Sequence, residues 1–263
     1  MPIDTNFTFH SLSVSEMREL DYAVMAQAHA SQNELGRLCD EKIYQADLAE
    51  RLKSIGLKNS YTEVPLKVAH KDFSMMYFLD LVVEDKAIYE IKACSSLHPA
   101  HTAQLLNYLF LCNSPRGKLI NFRPSAVESR YVNSPFSTTK RQTFEMVTSQ
   151  WHGEDHFIEL IAELLKDWGT GLELSLYRKA LIHLLGGEQV VTRPLPLTRK
   201  NIPLGHQVLN LYSPNTAISI TAFSQSFEQH LVNLRKMLVL TKIDQFYWVN
   251  IAMGKVEFRT VTV

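Results

Sequence analysis

Cysteine is scarce in this chain, with only Cys39, Cys94 and Cys112, far apart and without a CxxC pair. That excludes a sequence-evident zinc ribbon, an iron–sulfur set or a disulfide framework, and fits a reducing compartment. Charge of one sign is also missing, since Lys and Arg total 27 against 27 Asp and Glu. The protein therefore lacks the overall positive field that draws most nucleic-acid binders to phosphate, and any such contact must be local. No stretch approaches the ~18 apolar residues of a membrane span. The opening MPIDTNFTFHSLS lacks a basic region followed by an apolar run, so a cytosolic, non-membrane protein is expected. Glycine-rich phosphate loops are absent too, because Gly169-Thr170-Gly171 is short and has no lysine or strand context.

What the chain does have is 263 residues, 46% of them hydrophobic, enough for one large domain or two ordinary ones. Ser13-Val14-Ser15-Glu16 reads as a capping box opening a helix to about Ala30. A second helix is predicted from about Leu35 to Ile55, with Leu38, Ile43, Leu48 and Leu52 on one stripe and Gly56 as its stop. Strand-like runs follow at Tyr61 to Ala69, Met76 to Val83 and Ala87 to Ala93, with Glu84-Asp85-Lys86 as a turn. Pro99 opens another helix, then come strands at Lys118 to Phe122 and Ala126 to Val132. Residues 135–169 read as a helical connector, with helical stretches around Thr143 to Trp151 and His156 to Trp168. The expected division is 1–134, 135–169 and 170–263.

After the connector the signposts return. Tyr44 and Leu48 recur as Tyr177 and Leu181, Pro65-Leu66 as Pro196-Leu197, Ala87-Ile88 as Ala217-Ile218, and NFRPSAVESRYV from Asn121 as NIAMGKVEFRTV from Asn250. The pattern is that of a faded internal repeat; the common alternation of strand and helix in α/β halves is the competing explanation.

The densest chemistry lies between Asp80 and Lys92. Strand side chains alternate, so Glu90 and Lys92 project to one face. A three-residue loop at Glu84-Asp85-Lys86 sets Val83 opposite Ala87 and Asp80 opposite Glu90. Two carboxylates facing each other across strands repel, and on strands as apolar as these they need a partner or a cation. Surface ion pairing, worth ~0–1 kcal/mol, is the alternative. Oxygen donors in this number suit a hard cation such as Mg2+ or Mn2+.

Four blocks in order now carry a resemblance: Leu35-Gly36 leading into Glu41-Lys42-Ile43-Tyr44-Gln45-Ala46-Asp47-Leu48; Val64-Pro65-Leu66; Asp80 through Ala93; and His101 through Leu109 with Leu119-Ile120-Asn121-Phe122. Over residues 35–123 the chain resembles the GxxExxY family, a branch of the PD-(D/E)XK nuclease superfamily. It departs from that pattern at Leu38, where the name-giving glycine is expected, with Gly36 nearby. The resemblance implies an α/β, restriction-endonuclease-like core, a mixed sheet flanked by helices. It also implies a cation held by Asp80, Glu90 and the Ile91 carbonyl, with Glu41 approaching from a helix. Lys92 would orient water and offset charge in the transition state, Gln104 would contact the nucleophile or a phosphate, and Tyr44 would pack behind Glu41. His98, His101 and Trp151-His152-Gly153-Glu154-Asp155-His156 are assigned no function.

The resulting expectation is a Mg2+- or Mn2+-dependent nuclease acting on nucleic acid, DNA ahead of RNA. A non-catalytic nuclease-fold module binding nucleic acid or a protein is the alternative. Asn210, Ile220 and Ala222 stand near the repeat's equivalents of Asp80, Glu90 and Lys92, so the second half reads as a degenerate copy. The chain would be a monomer with pseudo-two-fold symmetry or a homodimer.

Overall fold

The computed structural model describes residues 3–5, 9 and 12–263. The elements in chain order are β1 (Ile3–Thr5), α1 (Val14–Leu35), α2 (Glu41–Ser54), β2 (Ser60–His70), β3 (Phe73–Val83), β4 (Ala87–Lys92), α3 (Pro99–Leu111), β5 (Arg116–Asn121), β6 (Glu128–Asn133), α4 (Thr138–Gln142), β7 (Glu145–Gln150), α5 (Asp155–Trp168), α6 (Leu174–Leu184), α7 (Glu188–Val191), β8 (Thr192–Arg199), β9 (Ile202–Ser213), β10 (Thr216–Thr221), α8 (Phe227–Thr241), β11 (Gln245–Ala252) and β12 (Lys255–Val261). The chain up to Ala69, with Ser74–Ser137, forms one compact unit; His70–Phe73 and Thr138–Val263 form the other.

In the first unit six strands stand in the order β1-β2-β3-β4-β5-β6. β4 runs antiparallel to β3 and parallel to β5, so the chain leaves β4, crosses through α3 and returns as β5. α1 and α2 bury Met17, Val24, Ala28, Tyr44, Leu48 and Leu52 against Leu81, Tyr89, Ile91 and Phe122 on one sheet face. α3 covers the other face closely. A Cβ on Gly117 of β5 would meet the Ile88 carbonyl at 2.9 Å and the Leu109 and Leu105 side chains at 3.0 and 3.1 Å, so only glycine fits there.

The predicted capping box is present: the Ser13 hydroxyl accepts from the Glu16 N–H while the Glu16 carboxylate accepts from the Ser13 N–H. α1 runs on to Leu35 and stops at Gly36, whose φ of 74° few side chains tolerate. The second helix therefore starts at Glu41 and not at Leu35. Leu38 falls in the intervening loop at 86% exposure and Ile43 is 48% exposed, so neither belongs to the buried stripe, which consists of Tyr44, Gln45, Leu48, Ala49 and Leu52. A second correction concerns Thr143 to Trp151, which is mostly the edge strand β7 and not a helix. Its side chains are nearly all exposed, so neither sheet nor helix periodicity shows in the sequence.

The second unit has the strand order β7-β12-β11-β10-β9-β8. β10 runs antiparallel to β9 and parallel to β11, with α8 as the crossover, and β12 returns antiparallel to β11. α5 ends at Gly169 (φ 71°), as α1 ends at Gly36. Two side-chain clasps also recur. The Tyr44 hydroxyl donates to the Gly36 carbonyl at 2.8 Å and accepts from the Cys39 N–H at 3.3 Å. Tyr177 does the same with Gly169 at 2.6 Å and Leu172 at 3.1 Å. Asn121 bridges the N–H and C=O of Cys94 at 3.0 and 2.8 Å, and Asn250 bridges those of Phe223 at 2.7 and 3.0 Å.

Asn121 is fully buried, and removing its amide would orphan two backbone groups. Asn121→Ala and Asn250→Ala should each lower unfolding free energy by about 1–3 kcal/mol per lost clasp. Chemical denaturation measures this; a cost below about 0.5 kcal/mol at both positions would show that water replaces the amides.

Candidate active site

Every residue of β4 is buried, Glu90 and Lys92 included. Alternation carries Ile88, Glu90 and Lys92 to the α3 face, and the register Val83↔Ala87 and Leu81↔Tyr89 brings Asp80 to the same face. The Asp80 carboxylate accepts from the Ile91 N–H at 2.8 Å, which fixes it across the strand pair. The Lys92 ammonium then lies 2.7 Å from Glu90 Oε1, 3.4 Å from Glu41 Oε1 and 3.5 Å from Asp80 Oδ2. Glu41 reaches the cluster from the first residue of α2, where a negative charge also faces the positive end of the helix dipole.

One ammonium among three carboxylates cannot neutralise them all. Burial, with Asp80 beside it, pushes the Glu90 carboxyl up to about 8. Burial likewise pushes Asp80 up to about 6 against the pull of Lys92. Burial works against the charge on Lys92, yet Glu90 and Asp80 together outweigh it and hold the ammonium above its ordinary value. Glu90 Oε2 is buried and has no hydrogen-bond partner, so the cluster is short of positive charge at a definite atom. Among the described residues no three acidic, histidine or cysteine side chains stand close enough to grip a metal ion as they are; here Lys92 pairs with all three carboxylates.

The loop before Glu41 and the strand end after Lys92 are tied together. Arg123 donates from Nε to the Ala93 carbonyl at 3.2 Å and from Nη2 to the Cys39 carbonyl at 3.3 Å. Tyr44 stacks on Phe122 at 4.4 Å behind Glu41. Gln32 donates to the Phe122 and Pro124 carbonyls at 2.7 and 3.0 Å. Sequence reasoning missed Arg123 and Gln32 as positioning residues, since each acts across a long stretch of chain on backbone groups that carry no sequence signal.

Gln104 is exposed on α3 and donates to the Tyr108 hydroxyl at 3.2 Å. Tyr108 is buried and sits edge-on to Tyr77 at 5.9 Å; burial, and after it the charges of Glu90 and Asp80, raises its pKa. Its bond to Gln104 was also missed. The His101 ring accepts from the His98 N–H at 3.1 Å and closes the start of α3; burial, then the positive charge of Lys92, lowers its pKa. In the Trp151–His156 segment, Glu154 accepts from Tyr212 at 2.8 Å.

Residues 18–132 match the family model of the PD-(D/E)XK nuclease superfamily, a span that contains Glu41, Asp80, Glu90, Ile91, Lys92 and Gln104. The match supports nuclease-type chemistry. Among solved structures, one titled "Crystal structure of SSO0001" is 23% identical, covering 47% of this chain and 63% of that one, with a TM-score of 0.31. This chain thus spans less than two thirds of that structure's length. None of the curated proteins matches the chain. Among the described residues no helix is long and apolar enough to cross a membrane.

The raised carboxyls give a signed pH dependence. A carboxyl that binds its proton more tightly in the folded state stabilises the fold fully below its unfolded value, and that contribution fades as pH rises through the folded value. For Glu90 the window runs from about 4.5 to about 8. In metal-free buffer the stability of Glu90→Gln relative to wild type should therefore grow from pH 5 to pH 9. A constant or shrinking difference in paired melts would contradict the buried-carboxylate description.

Proposed function

We propose that the first unit hydrolyses phosphodiester bonds in nucleic acid with Mg2+ or Mn2+, DNA ahead of RNA. The observation that carries this reading is the convergence of Asp80, Glu90 and Glu41 on the Lys92 ammonium with one buried carboxylate oxygen, Glu90 Oε2, left without a partner. A hard divalent cation takes oxygen donors, and that donor set fits one: Asp80, Glu90 and the Ile91 carbonyl would hold it, with Glu41 close by. Bound there, it would polarise a phosphoryl oxygen and lower the pKa of a water.

The chain's own groups do the rest. Asp80 is already aimed by its bond to the Ile91 N–H. Lys92, relieved of Glu90, offers its three N–H donors to the attacking water and to phosphoryl oxygens that gain negative charge in the transition state. Gln104 presents its amide toward a phosphate on the α3 side, with Tyr108 behind it. Walls as apolar as β3 and β4 strengthen each of these charge interactions by excluding water.

We further propose that the second unit is a degenerate copy of the first. The shared order of helices and strands and the paired clasps at Tyr44 and Tyr177, and at Asn121 and Asn250, support this. Lys92 stands beside Asn121 as Thr221 stands beside Asn250, so the counterparts of Glu90 and Lys92 are Ser219 and Thr221, not Ile220 and Ala222. Leu211 pairs with Ala217, so the alternation puts Leu209, not Asn210, opposite Ser219. The sequence comparison anchored on Ala87-Ile88 was one residue out of register, beside the irregularity between Thr216 and Ala217. A serine, a threonine and a leucine supply no carboxylate to neutralise a divalent cation, so the proposed chemistry is assigned to the first unit alone.

Wild-type protein with Mn2+ or Mg2+ should cut at least one of single- or double-stranded DNA or RNA. Lys92→Ala, Asp80→Asn and Glu90→Gln should each lower the rate by about 100-fold or more; without metal, Asp80→Asn and Glu90→Gln should melt as well as or better than wild type, whereas Lys92→Ala, which strips the carboxylates of their ammonium, should melt lower. Mn2+ should raise the melting temperature of wild type and not of Asp80→Asn. No cleavage of any of the four substrates, together with no metal-dependent shift in melting, would sink the reading and favour a binding module.

A further inference from the structure

The β8–β9 hairpin is the part of the second unit that the proposed function leaves unused. Between Gln189 and Phe227 the sequence contains no Asp or Glu, but it holds Arg193, Arg199, Lys200 and His206. With three Lys and Arg and no acid, this segment is net positive in a chain whose charges cancel overall. The two strands pair from Thr192↔Asn210 out to Arg199↔Ile202, whereas β9 pairs with β10 only at Ser213 and Leu211. Beyond its base the hairpin is a two-stranded ribbon, with no further strand on either side among the described residues.

The base is anchored, because Leu195, Leu209 and Leu211 pack on the cluster that includes Leu231, Leu234 and Leu238 of α8. Outward the ribbon becomes exposed on both faces. Arg199 and Lys200 are exposed, with apolar Ile202, Leu204 and Val208 at 56, 50 and 56%. Lys200 and Asn201 both take positive φ, 49° and 64°, the two-residue turn that suits the twist of paired strands. Among the described residues no carboxylate pairs with Arg199 or Lys200. Two strands alone are marginally stable, and a ribbon with unpaired edges and exposed apolar side chains is an aggregation hazard unless a ligand uses it.

We propose that this ribbon enters the major groove of double-stranded DNA. The B-form major groove, about 12 Å wide, admits a two-stranded ribbon whose strands lie about 5 Å apart. Arg199 and Lys200 at the tip meet phosphates on the groove wall, and the apolar side chains meet base edges such as the thymine methyl. The deep, narrow major groove of an RNA duplex does not admit such an element, so the inference is specific to DNA. It rests on the reading that nucleic acid is the substrate and adds that the substrate is duplex DNA, but it concerns binding and not cleavage.

The test is fluorescence anisotropy of a labelled DNA duplex of about 20 base pairs with the full chain in EDTA, where no cutting occurs. Arg199→Glu with Lys200→Glu should weaken binding tenfold or more. Arg199→Ala with Lys200→Ala should lower the slope of log affinity against log salt by about 2, one unit per lost phosphate contact. Both pairs of changes lie at an exposed turn, so melting should match wild type and confirm folded protein. Wild type that does not bind the duplex, variants that bind it unchanged, or an equal loss on an RNA duplex or on single-stranded DNA each overturn the inference. If wild type cuts DNA and the ribbon variants bind and cut as it does, the ribbon inference alone fails. If the ribbon binds DNA but no metal supports cutting, the nuclease reading alone fails.

Discussion

A single buried ammonium shared among three carboxylates is the constraint around which the first unit is arranged. Lys92 and Glu90 leave β4 on the α3 face, Asp80 is turned onto them by the Ile91 N–H, and Glu41 is delivered by the first turn of α2. Buried charges that are only partly compensated weaken a fold, and breaking one partner of such a group is worse than never having built it. The surrounding architecture offsets that cost with rigidity: Tyr44 on Phe122, Gln32 on the Phe122 carbonyl, and Arg123 clamped between Ala93 and Cys39. Burial raises the pKa of Glu90 and Asp80, and a divalent cation that displaces their protons is the physical content of the proposed nuclease chemistry.

How far this could be read from sequence depended on the range of each interaction. Asp80, Glu90 and Lys92 were legible because strand alternation and a short turn fix their common face within a few residues. Glu41 was legible only through family resemblance, since nothing local in α2 points it at Lys92. Gln104 followed the same resemblance, and in this structure its partner is Tyr108. Arg123 and Gln32 were invisible because they bind backbone carbonyls distant in the chain.

The errors have physical causes as well. Gly36 at positive φ ends α1, and five residues, Gly36 to Asp40, separate it from α2, so Leu38 is stranded in solvent. β7 was read as helical because an edge strand whose side chains are nearly all exposed has no apolar alternation to display. In the proposed repeat the sequence match falls on Tyr177 and Asn250, which make the same backbone clasps as Tyr44 and Asn121, while the strands between them are offset by a residue. Positions making specific buried hydrogen bonds keep their identity where packing positions accept any apolar side chain of similar size.

The account turns on whether Lys92 yields its place among the carboxylates to a divalent cation. Crystals soaked in Mn2+ and measured at the manganese edge test this directly. An anomalous peak within coordination distance of Asp80 and Glu90, with the Lys92 ammonium withdrawn from Glu90, is the predicted result. No peak at saturating Mn2+, with Lys92 still on Glu90, would contradict it.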